Sequence, residues 1–195
     1  MLRGLIYYIL SIYRWILRCG YCRGFGIQSP SAYSFVRYVV NEHYPYYAYQ
    51  QFDDLKCVSR KTNKLGRLFF RLSNYWQPHD VVIDNPIYAT YVSAGCHSCS
   101  ISNFEDFDFV DTSSNIMMLL DIDKMNESAI REKVLAFSSE RLLLVLQGIH
   151  CNKQNWRLWH LFKSDERTGI TYDLYHCGIV FFDKSKYKQD FKINF

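Results

Sequence analysis

The chain has 195 residues, 49% apolar and 22% charged, which is ordinary globular composition and excludes a disordered, collagenous or disulfide-built protein. A chain of this length buries a real core without covalent staples. The net charge of +4 is mild, and no basic and aromatic recognition module accompanies it, so nucleic acid is not the expected partner.

Charge is distributed unevenly. Residues 1–41 carry Arg3, Arg14, Arg18, Arg23 and Arg37 and no acid. The middle leans acidic, with Glu105, Asp106, Asp108, Asp111, Asp121 and Asp123. A basic start attracts phosphate or an anionic membrane face, or is simply solvated surface. Seven cysteines form no secreted disulfide pattern, so a reducing, cytoplasmic setting is expected.

The first predicted element is a helix over residues 3–18. At 100° per residue, Arg3, Tyr7, Ser11, Arg14 and Arg18 share one side, and apolar residues fill most of the rest. The run is shorter than the roughly 20 apolar residues a membrane span needs. Such a wide apolar face packs on the chain's own domain, lies along a membrane with its arginines toward lipid phosphate, or forms a homo-oligomer interface.

Gly24 to Pro30 reads as a loop, and Pro30 suits the first position of a helix running to about Glu42. Tyr44-Pro45 interrupts it, and a tyrosine-rich stretch follows. Lys64 to Tyr75 has helical apolar spacing. Val81-Val82-Ile83, Ile116 to Leu120 and Leu142 to Leu146 are wholly apolar, as buried parallel strands are. Helices are predicted over Glu127 to Phe137 and Asn152 to Phe162. Ile170 to Tyr175 and Gly178 to Phe182, joined by His176-Cys177, should pair antiparallel. Residues 96–115 give no clear signal. The pattern is an open α/β sheet, with residues 1–63 as a helical extension packing on the domain and 64–195 as the α/β domain.

Several segments carry a family resemblance. They are Phe25-Gly26-Ile27-Gln28-Ser29-Pro30, the stretch Leu68 to Trp76, Ile149-His150, Trp159, Asp173-Leu174-Tyr175 with Gly178 to Phe182, and Phe191 to Phe195. Together they resemble a bacterial family of class I methyltransferase-like proteins. The resemblance covers residues 24–49, 64–83 and 142–195, and is poor over 84–141. It implies a Rossmann-like methyltransferase fold: an open, mostly parallel sheet with an antiparallel C-terminal pair. It also implies S-adenosylmethionine across the carboxyl ends of the first strands.

The resemblance further implies an acidic residue and two glycines after the first strand, where bare backbone meets the cofactor. This chain has Asp84, Asn85, Pro86 and Tyr88 there and neither glycine. Pro86 removes an amide donor. Asp84, Asn85, Tyr88 and Asp121 are the candidate cofactor contacts. The family's paired carboxylates before Ile-His become Gln147-Gly148, leaving Asp121 and nearby Asp123, so no metal is expected. His150 is either a general base or an ordering residue, and Asp121 is the other candidate catalytic group. Cys19/Cys22 and Cys96/Cys99 are two CxxC pairs spaced too far apart for a zinc ribbon.

These readings favour a degenerate methyltransferase-like protein that binds a small molecule or a protein partner. Two others compete with it: an active S-adenosylmethionine-dependent (O-)methyltransferase, and a membrane-surface or assembly protein using residues 3–18.

Overall fold

A computed structural model describes residues 9, 10, 12, 13, 15–21, 24–54, 58–107, 114–123, 125–136 and 139–195. Residues 1–8, Ser11, Arg14, Cys22, Arg23, Asp108, Asp111 and Phe137, which figure in the expectations above, lie outside these. Within this set the chain is an α/β domain. Its seven-stranded sheet is mostly parallel, in the order β2-β1-β3-β4-β6-β5-β7.

Helical residues between 9 and 17 form α1. α2 spans Pro30–Phe35, with Ser29 as its cap and Pro30 in the first turn. It runs on into a π-helical segment, Val36–Val40, shorter than the helix expected to Glu42. Arg71 explains that ending. Its buried guanidinium donates to Val39 O at 2.6 Å and Val40 O at 3.0 Å, and so takes up carbonyls that a further turn would have used. α3 is Ala48–Asp53 and α4 is Arg60–Trp76. α4 starts a turn before the apolar spacing does, because Ser59 caps it by accepting from Thr62 N.

β1 is Asp80–Ile83. A short 3-10 turn, Pro86–Tyr88, and α5, Ala89–Gly95, lead to β2, Ser100–Ser102. Then follow β3 (Ile116–Asp121), α6 (Glu127–Ala136), β4 (Leu142–Gln147) and α7 (Lys153–Ser164). β5 (Ile170–Asp173) and β6 (Cys177–Phe181) close the core of the sheet, and β7 (Gln189–Lys192) lies beyond β5.

β1, β3 and β4 run parallel, with Val82 opposite Met118 and Leu119 opposite Val145. They are apolar throughout because both faces are covered. Val81, Met117 and Leu143 face a core shared with α2 to α5, while Val82, Met118 and Leu144 face one shared with α6 and α7. The predicted antiparallel pair is present, with Tyr172 opposite Ile179. β6 also runs antiparallel to β4, so it is inserted between β4 and β5. α5 lies close on α4: a Cβ on Gly95 would collide with Phe70 O and Ser73 Oγ.

Candidate functional site

In an open α/β sheet, ligands bind beyond the carboxyl ends of the strands, where the strand order changes direction. The chain leaves β1 toward β2 on one side and returns to β3 on the other, so that switch point lies between β1 and β3. The Asp84 carboxylate spans it. Its Oδ2 accepts the backbone N–H of Asp121 at 2.7 Å. Asp121 Oδ1 accepts in turn from Asp123 N at 3.3 Å. Asp123 Oδ1 accepts from the side-chain amides of Asn152 and Asn155 at 2.8 and 3.2 Å. The carboxylates therefore form a relay along the strand ends, each engaged by an N–H group.

Asn85 caps the 3-10 turn by accepting from Ile87 N at 3.2 Å. Tyr88 is buried, with its ring 4.7 Å from that of Phe69. Burial above all, then the charges of Asp121, Cys177 and Asp84, push its phenol far above the usual range. Tyr88 therefore serves the core beneath the turn.

The most concentrated polar cluster lies at the carboxyl ends of β4 and β5. β4 ends at Gln147, and Gly148 turns the chain at φ 80°, so that His150 comes back over the sheet. β5 ends at Asp173, which is 5% exposed. Arg18, reaching in from the end of α1, donates from Nη1 to Asp173 Oδ1 at 3.0 Å and from Nη2 to Oδ2 at 2.9 Å. His150 Nε2 lies 3.2 and 3.1 Å from the same two oxygens. Tyr175 N donates to Oδ1 at 2.9 Å. Tyr175 holds φ at 71°, an uncommon value for a residue with a side chain, in the tight link between β5 and β6.

Burial by itself would raise the Asp173 carboxyl. Hydrogen bonds from His150 and Arg18 and their charges outweigh it and hold the group well below the usual carboxylate range. Because Nε2 faces a carboxylate, it carries the imidazole proton. Arg18 Nη2 is 3.4 Å from Nε2, but both are donors, so this is proximity and not a bond. The His150 ring lies between Trp156 and Tyr175, with centroids at 4.5 and 4.9 Å. Such an imidazole is oriented by three neighbours and fits the ordering role better than that of a base facing a substrate. Burial, then the nearby cations Lys61, Lys64 and Arg18, pushes the adjacent His176 down to about 4.

A cleft of about 520 Å³ opens over this cluster, with Lys153, Trp156 and Lys192 among its walls. A second, of about 660 Å³, lies among the tyrosines of 44–49, Lys64, Arg67 and Arg71. There Arg67 pairs with Asp53, and Arg71 is satisfied by Val39 O, Val40 O and the Tyr49 hydroxyl.

Sequence reasoning placed His150 and Asp121 together as candidate catalytic groups. The structure gives them different partners: His150 joins Asp173, and Asp121 joins Asp84. Asp173 and Arg18 were missed as site residues. In the sequence Asp173 stands out only as part of a terminal motif, and nothing local marks a pair so distant in sequence. Of the second cysteine pair, Cys96 is buried with its thiol toward Pro78 O, and Cys99 points to Cys96 O. No helix among the described residues is long and apolar enough to cross a membrane. Compared with protein-family models, curated proteins and solved structures, the chain matches none.

Proposed function

We propose that the chain is a methyltransferase-like α/β domain whose cofactor crevice has been closed, and that it works by binding a ligand or partner and not by methyl transfer. The strand order supports the Rossmann-like part of this reading, with antiparallel β6 inserted between β4 and β5 at the end of a parallel set.

One observation carries the loss of the cofactor: Asp84 Oδ2 on Asp121 N at 2.7 Å. A nucleoside lying across the ends of β1 and β3 would meet Asp84 Oδ2 and the Asp121 N–H already bonded to each other and would have to displace that bond. The turn above adds to this. Pro86 offers no amide, and the Asn85 side chain is engaged in capping. These residues fit S-adenosylmethionine poorly. The cleft over Arg18, His150 and Asp173 is the better candidate for recognition, because its polar groups are fixed and its rim offers the Trp156 ring and two lysines.

Isothermal titration with S-adenosylmethionine and with S-adenosylhomocysteine tests the reading. Neither should give a binding isotherm. Micromolar binding of either one overturns it.

A further inference from the structure

The described part of α1 is oriented opposite to an amphipathic helix that packs on its own domain. Ile9, Ile12, Tyr13, Trp15, Ile16 and Leu17 are between 47% and 60% exposed. Arg18, the one described member of the polar arc, is turned into the domain and clamped by Asp173. The helix is rooted at the same end by the C-terminal tail: Asn194 Nδ2 donates to Trp15 O at 3.2 Å and Asn194 N to Tyr21 O at 3.1 Å. An apolar surface held outward on a polar root favours a cover, because removing apolar area from water is favourable.

We propose that this helix docks the protein on an anionic lipid bilayer, lying in the plane of the headgroups. Charge selects this occupant over a second copy. Residues 1–41 contain no acid, and with Arg18 neutralised by Asp173 the sequence of the helix still carries Arg3 and Arg14, so two copies would bring like charges together, whereas anionic headgroups neutralise them. The folded domain continues the pattern at the helix root, where exposed Lys153 and Lys192 line the cleft beside Arg18. Composition agrees: isoleucine and leucine enter the acyl boundary, and Tyr13, Trp15 and Tyr21 are residues favoured at headgroup depth. In the sequence the apolar run is broken by Arg14, short of the roughly 20 residues a span needs, which favours an interfacial pose. Arg18 itself serves the root and not the lipid, a correction to its expected place facing phosphate. The inference is independent of whether the crevice at β1 and β3 binds a nucleoside.

The test is flotation of the full chain with vesicles of phosphatidylcholine alone and of phosphatidylcholine mixed with phosphatidylglycerol. The chain should float with the mixed vesicles and less so as salt is raised. The double variant Ile12→Glu, Ile16→Glu should keep its melting midpoint, since both side chains face solvent, and lose about tenfold or more of its vesicle affinity. Brominated acyl chains should quench wild-type tryptophan emission, and Trp15→Phe should abolish that quenching. Absence of flotation overturns the proposal, as does flotation untouched by the double variant. So does a dimer that the double variant turns into a monomer without any lipid binding, which would make a second copy the cover.

Discussion

The Arg18 guanidinium grips the Asp173 carboxylate with both of its amino groups, at 3.0 and 2.9 Å, across 155 residues of sequence. The side chains are 11% and 6% exposed. This contact fastens the basic helix to the strand ends and fixes His150 at the same time. Two parallel N–H···O bonds make it directional as well as electrostatic.

Removing either partner strands the other in a dry site. Asp173→Ala removes the carboxylate that both Arg18 and His150 face, leaves Arg18 Nη1 only its bond to the residue-173 backbone oxygen at 3.1 Å, and should cost about 3 kcal/mol in urea unfolding. Arg18→Met keeps the His150 and Tyr175 bonds to the carboxylate and should cost about 2 kcal/mol. A double-mutant cycle between Arg18→Met and His150→Gln should show coupling, because both act on one carboxylate. Strict additivity would mean that the cluster is not a unit.

The acid limb of stability follows from the same carboxylate. Its folded value lies below the ordinary 3.8, so the stability it contributes is complete above that value and is lost as pH falls beneath it. Arg18→Met should flatten this limb, with the difference between wild type and variant shrinking as pH drops. A variant whose deficit is the same at every pH would contradict the assignment.

The strands that position this cluster were legible in the sequence, and the cluster was not. Ile116 to Leu120 and Leu142 to Leu146 are apolar at every position because both faces are covered, and that leaves a mark in sequence. β2 leaves none. Ser100–Ser102 is an edge strand that is mostly polar and partly exposed, so periodicity is silent there. α5 was missed for a related reason. Gly95 is small because α4 lies against it, and a seven-residue helix with Ala89, Ala94 and Gly95 gives little amphipathic contrast. The root of α1 depends on Arg18 meeting Asp173 and on Asn194 meeting Trp15 and Tyr21. Only the fold brings these together.

The close approach of α5 to α4 predicts a sharp glycine requirement. A Cβ at Gly95 would strike the Phe70 carbonyl, which is backbone and yields only if a helix shifts. Gly95→Ala should cost about 1–3 kcal/mol, although alanine is the better helix former. Gly20→Ala is the control, since a Cβ there meets nothing within 4 Å. Equal midpoints for the two variants would show that the α4–α5 contact is loose.

His176 supplies a second, separable pH dependence. Its imidazole is pushed down to about 4 by burial and neighbouring cations, so the folded state resists a proton that the unfolded chain accepts near 6.5. The unfolded state therefore binds more protons between those values, and stability rises with pH across that window. The neutral ring's contribution is complete above about 6.5 and is lost on acidification toward about 4, on the order of 2 kcal/mol. His176→Gln removes the titration and should lessen the slope between pH 4 and 6.5 while leaving the steeper loss below about 3.8, to which Asp173 contributes together with Asp165 and Asp183. Urea midpoints at half-unit steps of pH separate the two. If the variant keeps the full slope above pH 4, the titrating group is another, and His160 is the other imidazole held below its ordinary value by burial and Lys163.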